Sequence, residues 1–501
     1  MMAKLGRLAR TVRGLHPLQV VARPPHWLLR RAVRDIPSVA APRLRESWPP
    51  APPELRALVE EDARRAAARL PALPASSLLR AYEESYGFDA LCGRRRWEGP
   101  ISVHPYPASV RARQLALATR LGARGLEAEM ARACRAIALQ PELHLLANHL
   151  LENALGLVCG AAAAEGPEAQ AWWELGARLL AWQLDEQFLA DGGHFERSAT
   201  YHLWLTAGLL EAIELAEASG RVTPPQWRAV AGRALDWIAA IRAPDGAYPL
   251  FNDAMLDGSV RADAVLALGR ALGFSIELRT TPTPGPWARH LETTGWLLMG
   301  APGGVFLALD AGPDGADCQP GHVHADALAF ELWIGGQRTC VDYGVSSYGA
   351  DFERQRCRST SVHNTLELPG IDSSEVWAGF RTGRRSTGKL LHRTGRSDAI
   401  EATATHDGYA WLPGGPRPMR TLRLEANRLA VSDSLEGGPR EFASRLRLDE
   451  EAAARVNVRC VSAPFTRSLS VWYPTFATAR PAVVFEARAK PGTRCEWLIE
   501  W

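Results

Sequence analysis

The sequence predicts a protein of two parts, an N-terminal α/α toroid followed by a C-terminal antiparallel β-sandwich. From about residue 53 to residue 273, Ala, Leu, Arg and Glu dominate, and apolar residues recur at spacings of three and four, as in amphipathic helices. After residues 280–286 the pattern changes to short alternating runs separated by turn residues, as in an antiparallel sheet. Three prolines at the change cannot continue a helix, so we place the domain boundary there.

Length and composition agree with this division. A chain of 501 residues exceeds what one compact core usually covers, so we assign a basic arm (1–50), a toroid domain (51–285) and a β-sandwich domain (286–501). The 47% hydrophobic and 23% charged residues are typical of a soluble globular protein. A net charge of +3 is too small to predict nucleic-acid binding, although it would not repel an acidic substrate.

The arm is strongly basic, with eight Lys and Arg residues against one acid up to Asp35. It has no uninterrupted apolar segment of the kind found in signal peptides, and nothing in the chain approaches the roughly 20 apolar residues of a membrane span. We therefore expect a cytoplasmic protein. The arm has two interpretations: a basic face that docks on the rest of the protein, which we favour, or a peripheral contact with the inner membrane.

Seven helices are predicted in the toroid domain, and the links between them carry Gly, Pro and Asp. Many antiparallel helices of this length indicate a toroid or another array of helical hairpins. The predicted helices are 108–121, 125–139, 143–163, 168–188, 200–219, 225–242 and 259–272.

The sandwich domain contains nine predicted strands, and Gly335-Gly336 between two of them is suited to a two-residue hairpin turn. This hairpin would bring Asp342 back to the end of the sheet where His322 and His324 enter. The predicted strands are 295–300, 305–308, 327–334, 339–342, 364–368, 421–425, 428–433, 442–448 and 482–487.

Histidines and a carboxylate are concentrated in the first third of the sandwich domain: His322, His324, Asp342 and His363. In an extended segment, residues two apart point the same way, so His322 and His324 would present their rings to one side. Three imidazoles and a carboxylate can hold a zinc ion and still leave one histidine for chemistry.

Two polar motifs interrupt the helical part. Asn148, His149 and Glu152 lie within one turn of a predicted helix and can share a face, either as a polar network between helices or as the lining of a cleft. Tyr201 follows the turn Asp191-Gly192-Gly193 near a predicted helix start. It is either a packed tyrosine or, facing a cleft, a proton carrier.

The remaining candidate residues are single positions rather than motifs. Arg356 is one of three arginines at alternate positions before His363, and these either bind an anionic sugar or form a solvated edge. Trp377 is the one of the seventeen tryptophans that we expect to contact a substrate, because sugar rings stack on aromatic faces. Asn252 and Asp253 are expected to be structural rather than catalytic.

These motifs together resemble the heparinase II/III family of polysaccharide lyases. The resemblance rests on the order of several weak motifs between about residues 140 and 385. They are NHLLEN at 148–153, DGGHFERSATYH at 191–202, PLFNDA at 249–254, GHVHADALAFEL at 321–332, VDYG at 341–344 and HNTLEL at 363–368.

The resemblance implies a toroid and a sandwich with the active site between them, acting on an acidic polysaccharide or oligosaccharide by β-elimination next to a uronate carboxylate. The implied roles follow the motifs. Asn148 or His149 would bind the carboxylate with support from Glu152, Tyr201 would be the base and acid with His322 as its partner, and His324, Asp342 and His363 would bind a structural zinc ion.

Two alternatives to an active lyase remain open from the sequence. A non-catalytic glycan-binding or assembly protein would keep the fold and the zinc site, but it has no need of the proton carrier Tyr201. A zinc hydrolase would use His322, His324, His363 and Asp342 as ligands, but it leaves the helical motif without a role. Oligomeric state, the identity of the glycan and the choice between end-wise and internal cleavage are left open.

Overall fold

The computed structural model describes residues 2–32, 40–68, 88–89, 94–95, 104–278, 285–438 and 440–501. Helices fill the first part and antiparallel sheets the second, so the predicted fold class is confirmed. The last helix of the helical part ends at Ala271 and the first strand of the sandwich begins at Trp287. Most of the proline-rich segment used to place the boundary, residues 279–284, lies outside the described residues.

All seven predicted helices are present, with ends that differ by a few residues. The largest difference is at the helix predicted from residue 143, which begins at Ala147 because Leu146 and Ala147 have positive φ angles. The helices are α1 Met2–Arg13, α2 Pro17–Ala32, α3 Pro53–Ala68, α4 Pro105–Arg120, α5 Glu127–Leu139, α6 Ala147–Ala163, α7 Pro167–Gln187, α8 Ala199–Ala218, α9 Pro225–Ile241, α10 Ala262–Ala271, α11 Phe352–Cys357 and α12 Glu450–Ala453.

Helix α6 is the central helix of the helical part and is buried along nearly its whole length. It packs against α4, α7 and α8. Small residues allow this close packing: a Cβ atom on Gly156 would lie 2.7 Å from the Cα of Ser109, and one on Gly160 would overlap Cys134. Helices α3 and α10, the outer members in sequence, pack against each other.

The strands form two large antiparallel sheets and two short pairs. The nine-stranded sheet has the order β17-β18-β15-β7-β6-β5-β4-β3, with β8 also paired to β15, and the six-stranded sheet has the order β11-β12-β13-β14-β19-β16. The strands are β1 Phe88–Asp89, β2 Arg94–Arg95, β3 Trp287–Leu291, β4 Trp296–Ala301, β5 Val305–Asp310, β6 Phe330–Ile334, β7 Gln337–Cys340, β8 Leu366–Glu367, β9 Val376–Trp377, β10 Arg381–Thr382, β11 Gly388–Gly395, β12 Ala399–His406, β13 Arg417–Glu425, β14 Arg428–Glu436, β15 Phe442–Asp449, β16 Asn457–Cys460, β17 Phe465–Thr475, β18 Thr478–Ala489 and β19 Cys495–Glu500.

The nine-stranded sheet is the middle layer of three. Side chains alternate across a strand, so Trp296 and Leu298 of β4 pack into the helical core while Leu297 and Met299 pack against the six-stranded sheet. Every residue of β4 is therefore buried. The helical part and the sandwich thus share one continuous packing surface, and the site described below lies along it.

The predicted hairpin at Gly335-Gly336 is confirmed: it joins β6 to β7, and Ile334 pairs with Gln337. Both glycines have positive φ angles, 60° and 80°, which a primed two-residue turn requires. The predicted strand from residue 327 begins only at Phe330, because Leu328 has a φ of 61°.

The basic arm forms α1 and α2, and α1 docks on the sandwich, as the favoured interpretation expects. Arg10 makes two hydrogen bonds to Glu375, and Trp377 donates one to Thr11. None of the helices in the described ranges has both the length and the apolar character needed to span a bilayer.

Hydrogen bonds to Asp191 connect the helical part to the sandwich. Its carboxylate accepts hydrogen bonds from the backbone N–H groups of Thr293 and Thr294, at 2.9 and 2.7 Å, and from the Thr294 hydroxyl at 2.9 Å. Burial alone would raise the pKa of Asp191, but these hydrogen bonds and one from Gly193 lower it below its ordinary value. The ionised form therefore stabilises the joint.

We expect Asp191→Asn to lower the free energy of unfolding by about 2 kcal/mol at pH 7, the scale of lost hydrogen bonds to a charged group. Because the pKa is lowered on folding, Asp191 contributes fully above its unfolded pKa of about 3.9, and this contribution is lost as the pH falls further. Urea unfolding at pH 7 and pH 3 measures both effects. The exposed Asp185→Asn is the control, and an equal loss at both pH values would contradict the assignment.

Candidate active site

The carboxylate of Asp253 lies at the centre of the site, where the helical part meets the sandwich. Its Oδ2 lies 2.9 Å from Nδ1 of His322, and its Oδ1 lies 2.8 Å from Nε2 of His324. The guanidinium of Arg354, at the start of α11, donates to both oxygens in a fork. All four side chains are buried, so these contacts form in a region of low polarity where each is strong.

Asp253 is ionised, and this fixes the protonation of both histidines. Burial alone would raise its pKa, but the charge of Arg354 and the hydrogen bonds from His322, His324 and Arg354 hold the pKa well below its ordinary value. Since an ionised carboxylate only accepts hydrogen bonds, Nδ1 of His322 and Nε2 of His324 carry protons. Nε2 of His322 and Nδ1 of His324 are left for other partners.

The segment that carries these histidines is not extended, contrary to the prediction. Pro320–His322 forms a 3-10 turn, and the backbone becomes extended at Val323. The two rings nevertheless converge on one group, because they reach opposite oxygens of Asp253. The loop that carries Asp253 is held to the same segment: Asp253 N donates to His322 O, and Asn252 Oδ1 accepts from His324 N.

Tyr201, in the first turn of α8, stacks on His322. The ring centroids are 4.0 Å apart, and the Tyr201 hydroxyl lies 3.4 Å from that of Tyr348. Burial, together with Tyr348 and Asp253, raises the pKa of Tyr201 well above its ordinary value. The phenol is therefore protonated at neutral pH in the unliganded protein.

Asn148, at the start of α6, is brought to the other side of His322. Its Nδ2 lies 3.5 Å from Nε2 of His322, and Nδ2 and its backbone N–H donate to the carboxylate of Glu196 at distances of 2.9 to 3.1 Å. Glu196 also lies 3.7 Å from Nε2 of His322. Three separate segments thus place an amide, an imidazole and a phenol at one point, an arrangement typical of an active site.

His149 points toward Glu142 and the aromatic ring of Tyr106. Its Nδ1 lies 3.3 Å from a Glu142 oxygen, and its ring centroid lies 4.6 Å from that of Tyr106. Burial opposes the charged imidazole, but the carboxylate of Glu142 outweighs it and raises the pKa of His149. His149 is thus paired with Glu142 at a position next to Asn148 in the chain.

Glu152 makes its hydrogen bonds elsewhere than at Asn148 or His149, although its charge helps to raise the pKa of His149. It is fully buried in the helical core, where it accepts hydrogen bonds from Arg113 and Trp204 at 3.2 and 3.0 Å. Asn148 lies at the N-terminal end of α6, whereas Glu152, four residues later, lies inside the helical layer. Glu196 makes the contact with Asn148 that was expected of Glu152.

Left-handed backbone conformations cluster around the site. Leu146 and Ala147 precede Asn148, Arg197 follows Glu196, and Asn252 precedes Asp253; all four have φ between 49° and 59°. Non-glycine residues in this region cost free energy and persist where surrounding contacts enforce them, commonly at functional sites. Here they turn three side chains toward His322 and His324.

A second group of polar atoms lies beneath the first. Nitrogen or oxygen atoms of His324, Asp326 and His363 lie within 4.8 Å of one another, in a fully buried position. Among the described residues, His324 Nδ1, Asp326 Oδ1 and His363 Nε2 find no hydrogen-bond partner. Buried polar atoms are normally satisfied, so this group is suited to a bound cation.

The residues of this group fit zinc. Two imidazole nitrogens and a carboxylate oxygen are ligands that zinc accepts, and each imidazole donates its other nitrogen to a carboxylate, as in many zinc sites. Asp253 holds His324, and Asp342 holds His363 through a 2.7 Å contact to Nδ1. The predicted ligands His324 and His363 are thus brought together, while Asp326, which was not predicted, offers the free oxygen and Asp342 contacts His363.

The two predicted substrate-binding residues have other partners. Arg356 is exposed, with its guanidinium 3.9 Å from Glu353 and over the ring of Tyr343. Trp377 is contacted by α1, since it donates to Thr11 and lies beneath Arg7. Within the described part of the chain, neither residue forms a hydrogen bond or ion pair with the side chains grouped around Asp253.

Sequence reasoning missed Glu196 and Tyr348 as parts of the site, and it named Asp253 only as structural. Asp253 does position other groups, so that interpretation agrees with the geometry. Arg354 was noted only as one of three arginines that could bind an anionic sugar, and its contact with Asp253 was not foreseen. Glu196 could have been found from its place five residues before Tyr201 in the same motif, whereas the position of Tyr348 depends on how the loop after β7 folds back.

Two sequence models of one family match the chain. The Heparinase II/III N-terminus model matches residues 133–266, and the Heparinase II/III-like, C-terminal model matches residues 283–487. Together they span well over half of the 501 residues. The first covers most of the described helical part, and the second covers most of the sandwich.

Individual relatives are more distant. The heparin-sulfate lyase of Pedobacter heparinus is 25% identical over 241 residues, which cover 44% of this chain and 36% of that protein. The heparin-sulfate lyase of Bacteroides thetaiotaomicron is 28% identical over 283 residues, which cover 49% of this chain and 38% of that protein. The chain thus aligns with less than two fifths of each curated relative.

The fold itself is similar to a solved structure over nearly its whole length. The crystal structure of heparinase III superposes with a TM-score of 0.64 at 15% sequence identity. The superposition covers 95% of this chain and 88% of that one. This likeness shows a common fold, in which a helical part precedes the sheets.

We expect Asp253→Asn to destabilise the protein by about 3–5 kcal/mol, because it leaves the buried charge of Arg354 without its partner. Chemical denaturation monitored by circular dichroism gives the free energy of unfolding. The control is Asp263→Asn, which removes a half-exposed partner of Arg242 and should cost at most about 1 kcal/mol. Equal losses in the two variants would show that Asp253 does not hold the site together.

Proposed function

Because the chain belongs to the heparinase II/III family, we propose that it is a polysaccharide lyase that cleaves a uronic-acid-containing glycan by β-elimination. The observation that carries the proposal is the stack of Tyr201 on His322, 4.0 Å apart, beside the amide of Asn148. A phenol, an imidazole and an amide are the groups that proton abstraction next to a carboxylate requires. The two carboxylates beside His322 are already engaged, Glu196 with Asn148 and Asp253 with Arg354, which disfavours hydrolysis by a free carboxylate pair.

The carboxylate of the substrate is proposed to bind beside Asn148 and His149. In a uronate the proton at C5 is α to the carboxylate, so its removal places additional negative charge on that group. An amide donor and a positively charged imidazole stabilise this charge more strongly in the transition state than in the ground state. Glu196 orients the amide of Asn148, and the raised pKa of His149 favours its charged form.

Tyr201 is proposed to carry the proton, with His322 as its partner. The neutral phenol gives up its proton to Nε2 of His322, whose other nitrogen donates to ionised Asp253. The resulting phenolate removes the C5 proton, the C4–O bond breaks, and the re-formed phenol protonates the departing glycosidic oxygen. The product carries a C4–C5 double bond conjugated with its carboxylate, and no water is consumed.

The buried group His324, Asp326 and His363 is proposed to hold a structural zinc ion. These residues are at most 1% exposed, so a substrate has no access to them, which favours a structural ion over a catalytic one. A bound cation would neutralise the charge of Asp326 and fix the orientation of the His324 ring. Because His324 contacts one oxygen of Asp253, it would also help to fix the oxygen that faces His322. We assign no reaction step to the ion.

The proposed substrate class is an acidic polysaccharide or oligosaccharide. The similar proteins of Pedobacter heparinus and Bacteroides thetaiotaomicron are heparin-sulfate lyases, which supports an acidic glycan. The cytoplasmic location and the possible contact of the basic arm with the inner membrane stay predictions of the sequence.

We predict that Tyr201→Phe keeps the fold and most substrate binding but lowers kcat by about 100-fold or more, the scale of lost general acid–base catalysis. The measurement is the ultraviolet absorbance of the unsaturated product with a panel of uronate polymers. The matched control is Tyr343→Phe, which removes a buried hydroxyl that has no hydrogen-bond partner. Near-normal elimination by Tyr201→Phe on a confirmed substrate would contradict the proposed role of Tyr201 and show that another group carries the proton.

A second prediction concerns the metal. Purified protein should contain close to one zinc ion per chain by elemental mass spectrometry, and His324→Ala should lose both the ion and thermal stability, because structural zinc contributes folding free energy. The exposed His392→Ala serves as the control. Wild-type protein that is folded and active without metal after gentle purification would contradict the proposal.

A further inference from the structure

Helices α1 and α2, here called the strap (residues 2–32), contact both parts of the protein. On the sandwich side, Arg10 Nε and Nη2 donate to Glu375 at 2.8 and 2.6 Å. The indole of Trp377 donates to the hydroxyl of Thr11 at 3.1 Å. On the helical side, Nε2 of Gln19 donates to the carbonyl of Leu145 at 2.8 Å.

These contacts are built into the strap rather than being loose surface contacts. Gln19 is 2% exposed, and its Oε1 accepts a hydrogen bond from the backbone N–H of His16 at 2.9 Å, so both ends of the amide are used. Between the two helices, Gly14 lies against Arg385, and a Cβ at this position would overlap the guanidinium. Farther along α2, His26 stacks on His144 with the ring centroids 3.5 Å apart.

Both anchoring points lie next to the proposed active site. Leu145 is three residues before Asn148, on the segment that leads into α6. Trp377 is in the same loop as Phe380, whose ring centroid lies 6.1 Å from that of His322. The carbonyl of Gly379 in this loop accepts a hydrogen bond from Arg354 at 2.8 Å. The strap therefore joins the two walls that carry Asn148 and His322.

We propose that the strap closes one end of the cleft, so that the enzyme takes its glycan from a chain end and releases short products. This inference rests on the proposed lyase function. A polysaccharide bound at an internal linkage must leave the cleft on both sides of the site. A segment anchored at Leu145, three residues before Asn148, and at Trp377, three residues before Phe380, blocks one of these exits. Arg10 and Gln19 are the residues that hold it there.

The test uses the full chain and the double variant Arg10→Glu/Gln19→Ala, which sets a carboxylate against Glu375 and removes the contact to Leu145. Trypsin cleavage within residues 7–23, followed by mass spectrometry, reports release of the strap without reference to activity. Size-exclusion chromatography of the ultraviolet-absorbing products, at matched extents of reaction, reports the mode of cleavage. Arg13→Glu is the control, because it reverses the same charge at an exposed position of the same helix.

Wild-type protein and Arg13→Glu should release short products from the start while the remaining polymer keeps its size. The double variant should be cut by trypsin at least about tenfold faster and should give a ladder of intermediate sizes. A ladder from the wild type, unchanged products from a released strap, or a strap that the double variant does not release would each overturn the proposal. Absence of elimination by the wild type on every uronate polymer would instead refute the proposed function, and the strap proposal with it.

Discussion

The buried carboxylate of Asp253 is the group on which the arrangement of the site depends. It comes from a loop of the helical part, and its partners His322, His324 and Arg354 all come from the sandwich. Burying an ion pair costs desolvation free energy that its mutual attraction only partly offsets, so such a pair is weak evidence for stability alone. Here the ion pair also has a structural effect: it holds four charged or polar groups from both parts of the chain in one fixed arrangement.

That arrangement assigns opposite tautomers to two histidines only two residues apart. Asp253 accepts from Nδ1 of His322 and from Nε2 of His324, so the first presents Nε2 beside Asn148 and the second presents Nδ1 to the buried group. The proposed catalytic position and the proposed metal position thus belong to one short segment. Asp342 acts on His363 in the same way as Asp253 acts on His324, by accepting from the nitrogen that faces away from the buried group.

The fold could be predicted wherever hydrophobic residues recur with a period that marks one buried face of a helix or strand. The helices of the helical part satisfy this condition, and all seven were predicted with small errors at their ends. Strand prediction was less complete: β11 and β17 were missed, because they are largely exposed and their side chains do not alternate clearly between buried and exposed. These strands are defined by their neighbours in the sheet rather than by their own residues.

The sequence by itself determined the order of helices and sheets and the residue types of the site: Tyr201, His322 and Asn148 carry chemistry that local motifs reveal. The tertiary structure alone decided which carboxylate serves which partner. Glu196 rather than Glu152 holds Asn148, and Asp253 holds both His322 and His324. The physical reason is that a hydrogen bond depends on atoms within about 3 Å of each other, whereas these partners are separated by 48 to 71 residues along the chain. Periodicity reports which face of an element is buried, but only the packed layers bring those distant atoms into contact.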